Sequence, residues 1–376
     1  MPPQFPEAVQ VSFLINPLGL YIHIPFCLKK CNYCDFYSVA VNDNVKKEFV
    51  RALIREIKQW GGKIGRPIDT VYFGGGTPSL LAEFLPEIMT AVKSSFEVSQ
   101  NAEITMEMNP GDDYRKVLFC AKNAGVNRLS VGVQSSSDGE LKVLGRRHTA
   151  AQTVNTVKTA RELGFDNISL DLMLGLPDSN LQTIEKSLEF VTNLKPEHIS
   201  CYILKIEEKT PFYRQADSLN LPCEDDVAEQ YLKICFYLKD KGYNHYEISN
   251  FSKDGKESKH NLKYWNCEEY LGLGPGAHSF LDGKRFYYPK SITDFISGNT
   301  PLFDSEGGSK TEKIMLKLRL KEGLDLCFID MKRFSRIGKL LKSNGLLEIT
   351  DNRIILTDKG MLLSNSIITK VLEYVK

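Results

Sequence analysis

The chain has 376 residues, 42% of them hydrophobic and 25% charged, the make-up of a globular protein with one large domain and a smaller one. Lys and Arg number 48 against 47 Asp and Glu, so a net charge of +1 provides no global field that points to nucleic acid or an anionic membrane as partner. No run of about 18 apolar residues occurs, and Met1–Leu18 lacks a basic stretch followed by an apolar one, so neither a membrane span nor a signal peptide is expected; scattered single cysteines fit a reducing cytoplasm.

Residues 1–17 read as an N-terminal extension. From 18 to 210, short β-branched runs alternate with amphipathic stretches, the pattern of repeated βα units. Six strands are expected, at Leu20–Ile24, Thr70–Phe73, Glu103–Glu107, Arg128–Val133, Ile168–Leu172 and Ile199–Leu204. Between the first two, Phe49, Val50, Leu53, Ile54, Ile57 and Trp60 recur at helical spacing over Asn44–Trp60. Beyond Pro211 the rhythm changes to a helix at Asp225–Lys241, a segment Tyr243–Ser249, a polar loop and an aromatic, glycine-rich stretch His260–Phe280; 211–305 reads as barrel-closing material. After a linker at Gly307-Gly308-Ser309, residues 309–376 read as helix Lys310–Leu320, helix Phe328–Asn344, a hairpin of Leu346–Thr350 and Arg353–Thr357, and helix Lys359–Val375, a small winged-helix-like α+β domain.

Cys27, Cys31 and Cys34 stand in a C-x3-C-x2-C spacing within Tyr21–Phe36. Thiolates so spaced suit three irons of a four-iron cluster and leave the fourth iron open to something that reacts. Zinc is the alternative, but a closed zinc site wants four ligands, no second C-x2-C pair follows, and His23 is the candidate for a fourth. Phe73-Gly-Gly-Gly-Thr-Pro78 follows an expected strand; its glycines let the backbone approach a ligand, although a tight turn is the plainer reading. Glu107, Gln134 and Asp171 stand at the ends of later strands, with Arg146 between the last two. Taken singly, each reads equally well as a helix cap or a surface group.

Tyr21-Ile-His-Ile-Pro-Phe-Cys27 and Cys34-Asp-Phe-Tyr37 resemble the cluster loop of radical S-adenosylmethionine (SAM) enzymes. The likeness is to the branch that holds the oxygen-independent coproporphyrinogen III oxidases and the HemW heme chaperones, and it runs nearly the whole chain. The resemblance implies an α/β fold, a partial (β/α)6 radical SAM barrel with a small C-terminal winged-helix-like α+β domain. It implies a [4Fe-4S] cluster on Cys27, Cys31 and Cys34, and SAM held by Tyr21, Gly75, Gly76, Thr77, Glu107, Gln134, Arg146 and Asp171, the glycine run meeting the methionyl amino group and Arg146 the carboxylate. In that family one electron from the cluster cleaves SAM to a radical that abstracts hydrogen, but whether this chain is an enzyme is a separate question.

Two departures lean away from the oxidase: Phe36 occupies the place of its fourth cysteine, and 26 residues precede Cys27, fewer than the oxidases' arm. His260-Asn-Leu-Lys-Tyr-Trp265 matches the H-N-x-x-Y-W motif associated with heme binding in HemW proteins, so heme is expected on His260; a structural histidine beside two core aromatics is the alternative. His148 and His278 read as structural. The partners this implies are heme or porphyrin, heme-acceptor proteins, a membrane-protein acceptor among them, and an electron donor if the radical is made. The runner-up is decarboxylation of coproporphyrinogen III by radical SAM chemistry. A third reading, tRNA modification, leans on 14 Lys and Arg against 8 Asp and Glu in 309–376, a modest excess of the kind that more often marks a solvated face.

Overall fold

The computed structural model describes residues 16–111 and 114–376; the expected extension over 1–17 lies outside the described residues apart from Asn16 and Pro17. Six parallel strands form its centre: β1 (Leu18–Ile24), β2 (Ile68–Gly75), β3 (Val98–Met108), β4 (Arg128–Gln134), β5 (Ile168–Leu174) and β6 (His198–Ile203), paired in chain order with helices between them. This is the α/β partial barrel that the alternation of runs implies.

The strands are buried on both faces, yet only one face is apolar. Leu20, Ile22 and Ile24, then Val71 and Phe73, then Leu129, Val131 and Val133 are all buried under the covering helices, where Phe49, Leu53 and Ile57 of helix Asp43–Gly61 contribute. The opposite parity points inward and is polar: Tyr21, Tyr72, Glu107, Ser130, Asp171 and Ser200. Register sets these residues side by side, Tyr21 opposite Tyr72, Glu107 opposite Ser130 and Asp171 opposite Ser200. A polar lumen inside an apolar shell makes these strands a lining for a ligand as well as a core.

The segment expected to close the barrel instead extends the sheet at both edges. β7 (Asn244–Glu247) and β8 (Asn250–Ser252) form an antiparallel hairpin on β6. β9 (Tyr270–Leu273) joins β1 in parallel, and β10 (His278–Leu281), β11 (Lys284–Tyr287) and β12 (Leu302–Glu306) follow antiparallel. Helix Lys259–Trp265 lies between these two additions in sequence. Farther on, β13 (Leu324–Asp325), β14 (Leu347–Ile349) and β15 (Arg353–Leu356) make a separate three-stranded sheet, with helices Lys310–Lys317 and Met331–Ser343 beside it. The expected last helix is two, Asp358–Leu362 and Ser364–Leu372: Leu363, at φ −101° and ψ 17°, leaves helical geometry between them. No helix among the described residues is long and apolar enough to cross a membrane.

Glu247, at the end of β7, is fully buried, and its carboxylate oxygens lie near the Ser249 and Asn250 amides without reaching hydrogen-bond geometry. Burial pushes its carboxyl up to about 7. The native state therefore keeps the proton that the unfolded chain sheds first, and this residue's contribution to stability is lost as pH rises from about 4.5 towards 7. In chemical denaturation at pH 5 and pH 8, Glu247→Gln should be the more stable form at the higher pH by a margin that grows by up to ~3 kcal/mol; parallel pH profiles would exclude the effect.

Candidate functional site

The C-terminal ends of β1, β2 and β3 meet the cysteine loop through hydrogen bonds that leave little freedom. His23 Nε2 donates to the Tyr37 carbonyl at 3.1 Å, which makes Nδ1 the acceptor of the Tyr21 hydroxyl at 2.9 Å. Both nitrogens are engaged, so the sequence's candidate for a fourth zinc ligand is not available for one. The glycine run allows the approach of β2 to β1. A Cβ on Gly75, whose φ is +114°, would sit 2.6 Å from the His23 ring, and one on Gly76 would sit 2.6 Å from the Phe26 carbonyl oxygen.

The loop itself is clamped at several points. Cys27 N donates to Val39 O at 3.2 Å and Val39 N to Pro25 O at 2.7 Å, while Asn32 reaches the Val143 and Leu144 carbonyls and receives Phe212 N. Cys27, Cys31 and Cys34 are all partly exposed and free of disulfides. A hydrogen-bonded circuit joins two of them. Arg146 Nη1 lies 3.7 Å from Cys31 Sγ, Arg146 Nη2 donates to Asn109 Oδ1 at 2.6 Å, and Asn109 Nδ2 donates to Thr77 Oγ1 at 3.1 Å. The Thr77 hydroxyl proton is thereby left for Cys27 Sγ, 3.4 Å away. Donors aimed at sulfur favour thiolates, the form that binds iron. Burial pushes the Cys34 thiol up to about 11, so metal binding there must release a proton.

Below this circuit the lumen carries two carboxylates. Glu107 accepts from Tyr72 OH at 2.9 Å and from Gly75 N at 3.1 Å, and burial nevertheless raises its carboxyl to about 7. Asp171, with Ser130 Oγ at 3.3 Å, is also raised by burial. Gln134 holds φ +68° at the end of β4, past an irregularity in register, which turns its side chain toward Arg146; a Cβ on Gly132 would come within 2.8 Å of Arg146 Nη2 and 2.9 Å of Gln134 Nε2. Strain of this kind collects where a side chain must be aimed.

Comparison with known proteins gives the family. The model of the radical SAM superfamily matches residues 21–191. The heme chaperone HemW of Bacillus subtilis is 37% identical over 372 residues, covering 92% of this chain and 97% of the relative, and that of Mycobacterium tuberculosis is 32% identical with 95% of each covered. HemW of Escherichia coli is 40% identical over 72% of each. The chain belongs to the HemW family. In fold it is similar to the radical SAM coproporphyrinogen III oxidase of E. coli, with a TM-score of 0.80 at 24% identity over 94% of this chain and 89% of that one.

Membership of the radical SAM superfamily implies a [4Fe-4S] cluster and SAM, and the donor set of this HemW-family chain fits them: three free thiols in one loop, two with hydrogen-bond donors on sulfur, beside a lumen of carboxylates, amides and a guanidinium. The structure brings Cys27, Cys31, Gly76, Thr77, Arg146 and Gln134 to one end of the barrel, and places Tyr21, Gly75, Glu107 and Asp171 along its inner wall. It also brings in Asn109, which the sequence reading missed. The signal was faint: Asn109 stands just past the end of β3, two residues after Glu107, where an Asn before Pro110 has the composition of a turn.

His260 lies against the same wall, beside Tyr72 and Tyr21. Its ring is fully buried near the start of β2, Nδ1 bonded to Thr70 Oγ1 at 2.8 Å and Nε2 to Tyr264 OH at 2.8 Å, stacked on Tyr72. Burial drives its pKa down to about 3. With no free nitrogen and no exposure, it cannot serve as the expected heme ligand in this conformation; it positions Tyr264. His278, read from sequence as structural, is exposed.

Proposed function

We propose that this chain is a heme chaperone that holds a [4Fe-4S] cluster on Cys27, Cys31 and Cys34, binds SAM, and takes up heme to pass it to acceptor proteins in the cytoplasm, membrane-bound hemoproteins among them. What supports the reading is likeness to HemW proteins along nearly the whole chain; Phe36, 64% exposed where the oxidases have a fourth cysteine, agrees with it. When bound, the cluster and SAM supply one-electron cleavage chemistry, given a reductant.

The chain's own residues bind and orient. Arg146 would hold the SAM carboxylate while keeping Asn109 and Cys31 in place, Gly75, Gly76 and Thr77 would offer backbone and hydroxyl groups to the methionyl amino end, and Glu107, Gln134, Asp171 and Tyr21 would line the remaining wall. Glu107, with its raised pKa, can hold a proton near neutrality at Oε1 or Oε2. The test is anaerobic titration of heme into the cluster-loaded protein. Saturable binding, seen as a Soret band that stops growing, is the expected result; absence of saturation would exclude the reading.

A further inference from the structure

The chain has six histidines, all among the described residues, and five are committed elsewhere. His23, His198, His245 and His260 each have both ring nitrogens in hydrogen bonds, and His148 is buried with Nε2 facing Val133 O. His278 alone has an exposed ring with neither nitrogen hydrogen-bonded to a described residue. It opens β10, opposite Tyr287 in register, and stacks on that ring at 5.3 Å and 23°.

His278 lines a recess of about 370 Å³ beside the cysteine loop, with Phe36, Tyr37, Tyr264, Tyr270 and Lys290. Its floor is Tyr21 and His23 of β1, so it adjoins the lumen wall, and the rest of its lining comes from three further parts of the chain. Phe36 and Tyr37 follow the third cysteine, and Tyr37 is fixed by His23. Tyr264 belongs to the H-N-x-x-Y-W run and is held by His260 on one side and by edge contact with Tyr270 at 4.6 Å on the other. Lys290 makes no ion pair with any described residue, and Asp35 is the opposing charge on the rim.

An apolar aromatic wall, a free imidazole and an unpaired ammonium match a planar, apolar iron chelate that carries carboxylates. We infer that this recess takes the heme, with His278 as axial ligand to the iron, Phe36 and Tyr264 against the macrocycle, and Lys290 on a propionate. The inference rests on the heme-chaperone reading and names its site. It also gives His260 a place in heme binding without ligation: it holds Tyr264 in the recess wall.

The experiment compares hemin with metal-free protoporphyrin IX, each titrated into the full-length wild type, His278→Ala and Lys290→Glu. Removing the ligand should weaken hemin binding by about tenfold or more and shift the ferric Soret band and electron paramagnetic resonance signal. Protoporphyrin, with no iron to ligate, should bind His278→Ala as it binds the wild type, whereas Lys290→Glu should weaken both ligands. If the wild type binds hemin and His278→Ala binds it equally with an unchanged spectrum, the site is elsewhere while the chaperone reading stands. Equal loss of both ligands in His278→Ala would make the residue structural and overturn the ligand assignment. Failure of the wild type to bind hemin would overturn both.

Discussion

Cys31→Ser should leave a folded protein that assembles almost no iron–sulfur cluster. The residue is partly exposed and forms no part of the apolar core, so its replacement costs little stability, within about 0.5 kcal/mol. Its sulfur is nevertheless the one that faces Arg146, and a serine hydroxyl does not ionise to a ligand that replaces a thiolate. With two thiols left, the third iron has no protein ligand. Iron and acid-labile sulfide after anaerobic reconstitution should fall close to the level of the unreconstituted protein, with thermal unfolding unchanged. Wild-type cluster content in this variant would remove the triad from the account.

Arg146→Lys carries the second large effect. The guanidinium serves Cys31, Asn109 and the Gly132 carbonyl together, and a planar fork is needed to do so. An ammonium keeps the charge but cannot bridge the three, so Asn109 loses its anchor and the Thr77 hydroxyl loses its orientation toward Cys27. The expected loss in SAM affinity for the cluster-loaded variant is roughly 10–100-fold, by equilibrium dialysis, with cluster content reduced less. Unchanged SAM affinity would mean that Arg146 serves the loop alone.

Much of this was readable in the sequence because it is local. The cysteine spacing, the glycine run and the β-branched strand cores are patterns within a few residues, and β4 and β5 begin at Arg128 and Ile168, where the pattern places them. What escaped is non-local. Nothing near Tyr270 announces that β9 pairs with β1, some 250 residues earlier in the chain, or that β7 and β8 pair instead with β6. For the same reason Asn109 gains a role only through Arg146 and Thr77, which lie on either side of it in space and far from it in sequence. His260 erred in the opposite direction: a motif gives residue type but not burial, and only the fold reveals that both nitrogens are taken. His278 looked structural because its exposure depends on the turn at Gly276, whose φ is +82°.

The inward parity of the strands carries a similar lesson. Thr70, Thr105, Ser130, Ser169 and Ser200 alternate with apolar residues as they would on a sheet with one face in water. All are buried, because the polar face encloses a lumen that ends at the cysteine loop.

The central claim is that this family member handles heme and does not make it. The most direct measurement supplies the anaerobically reconstituted protein with SAM, a strong reductant and coproporphyrinogen III, and follows vinyl-containing product by chromatography over many equivalents of substrate. The account predicts no accumulation of product beyond the protein-free control from a preparation that binds heme saturably. Multiple-turnover conversion of two of the four propionates to vinyl groups would contradict it.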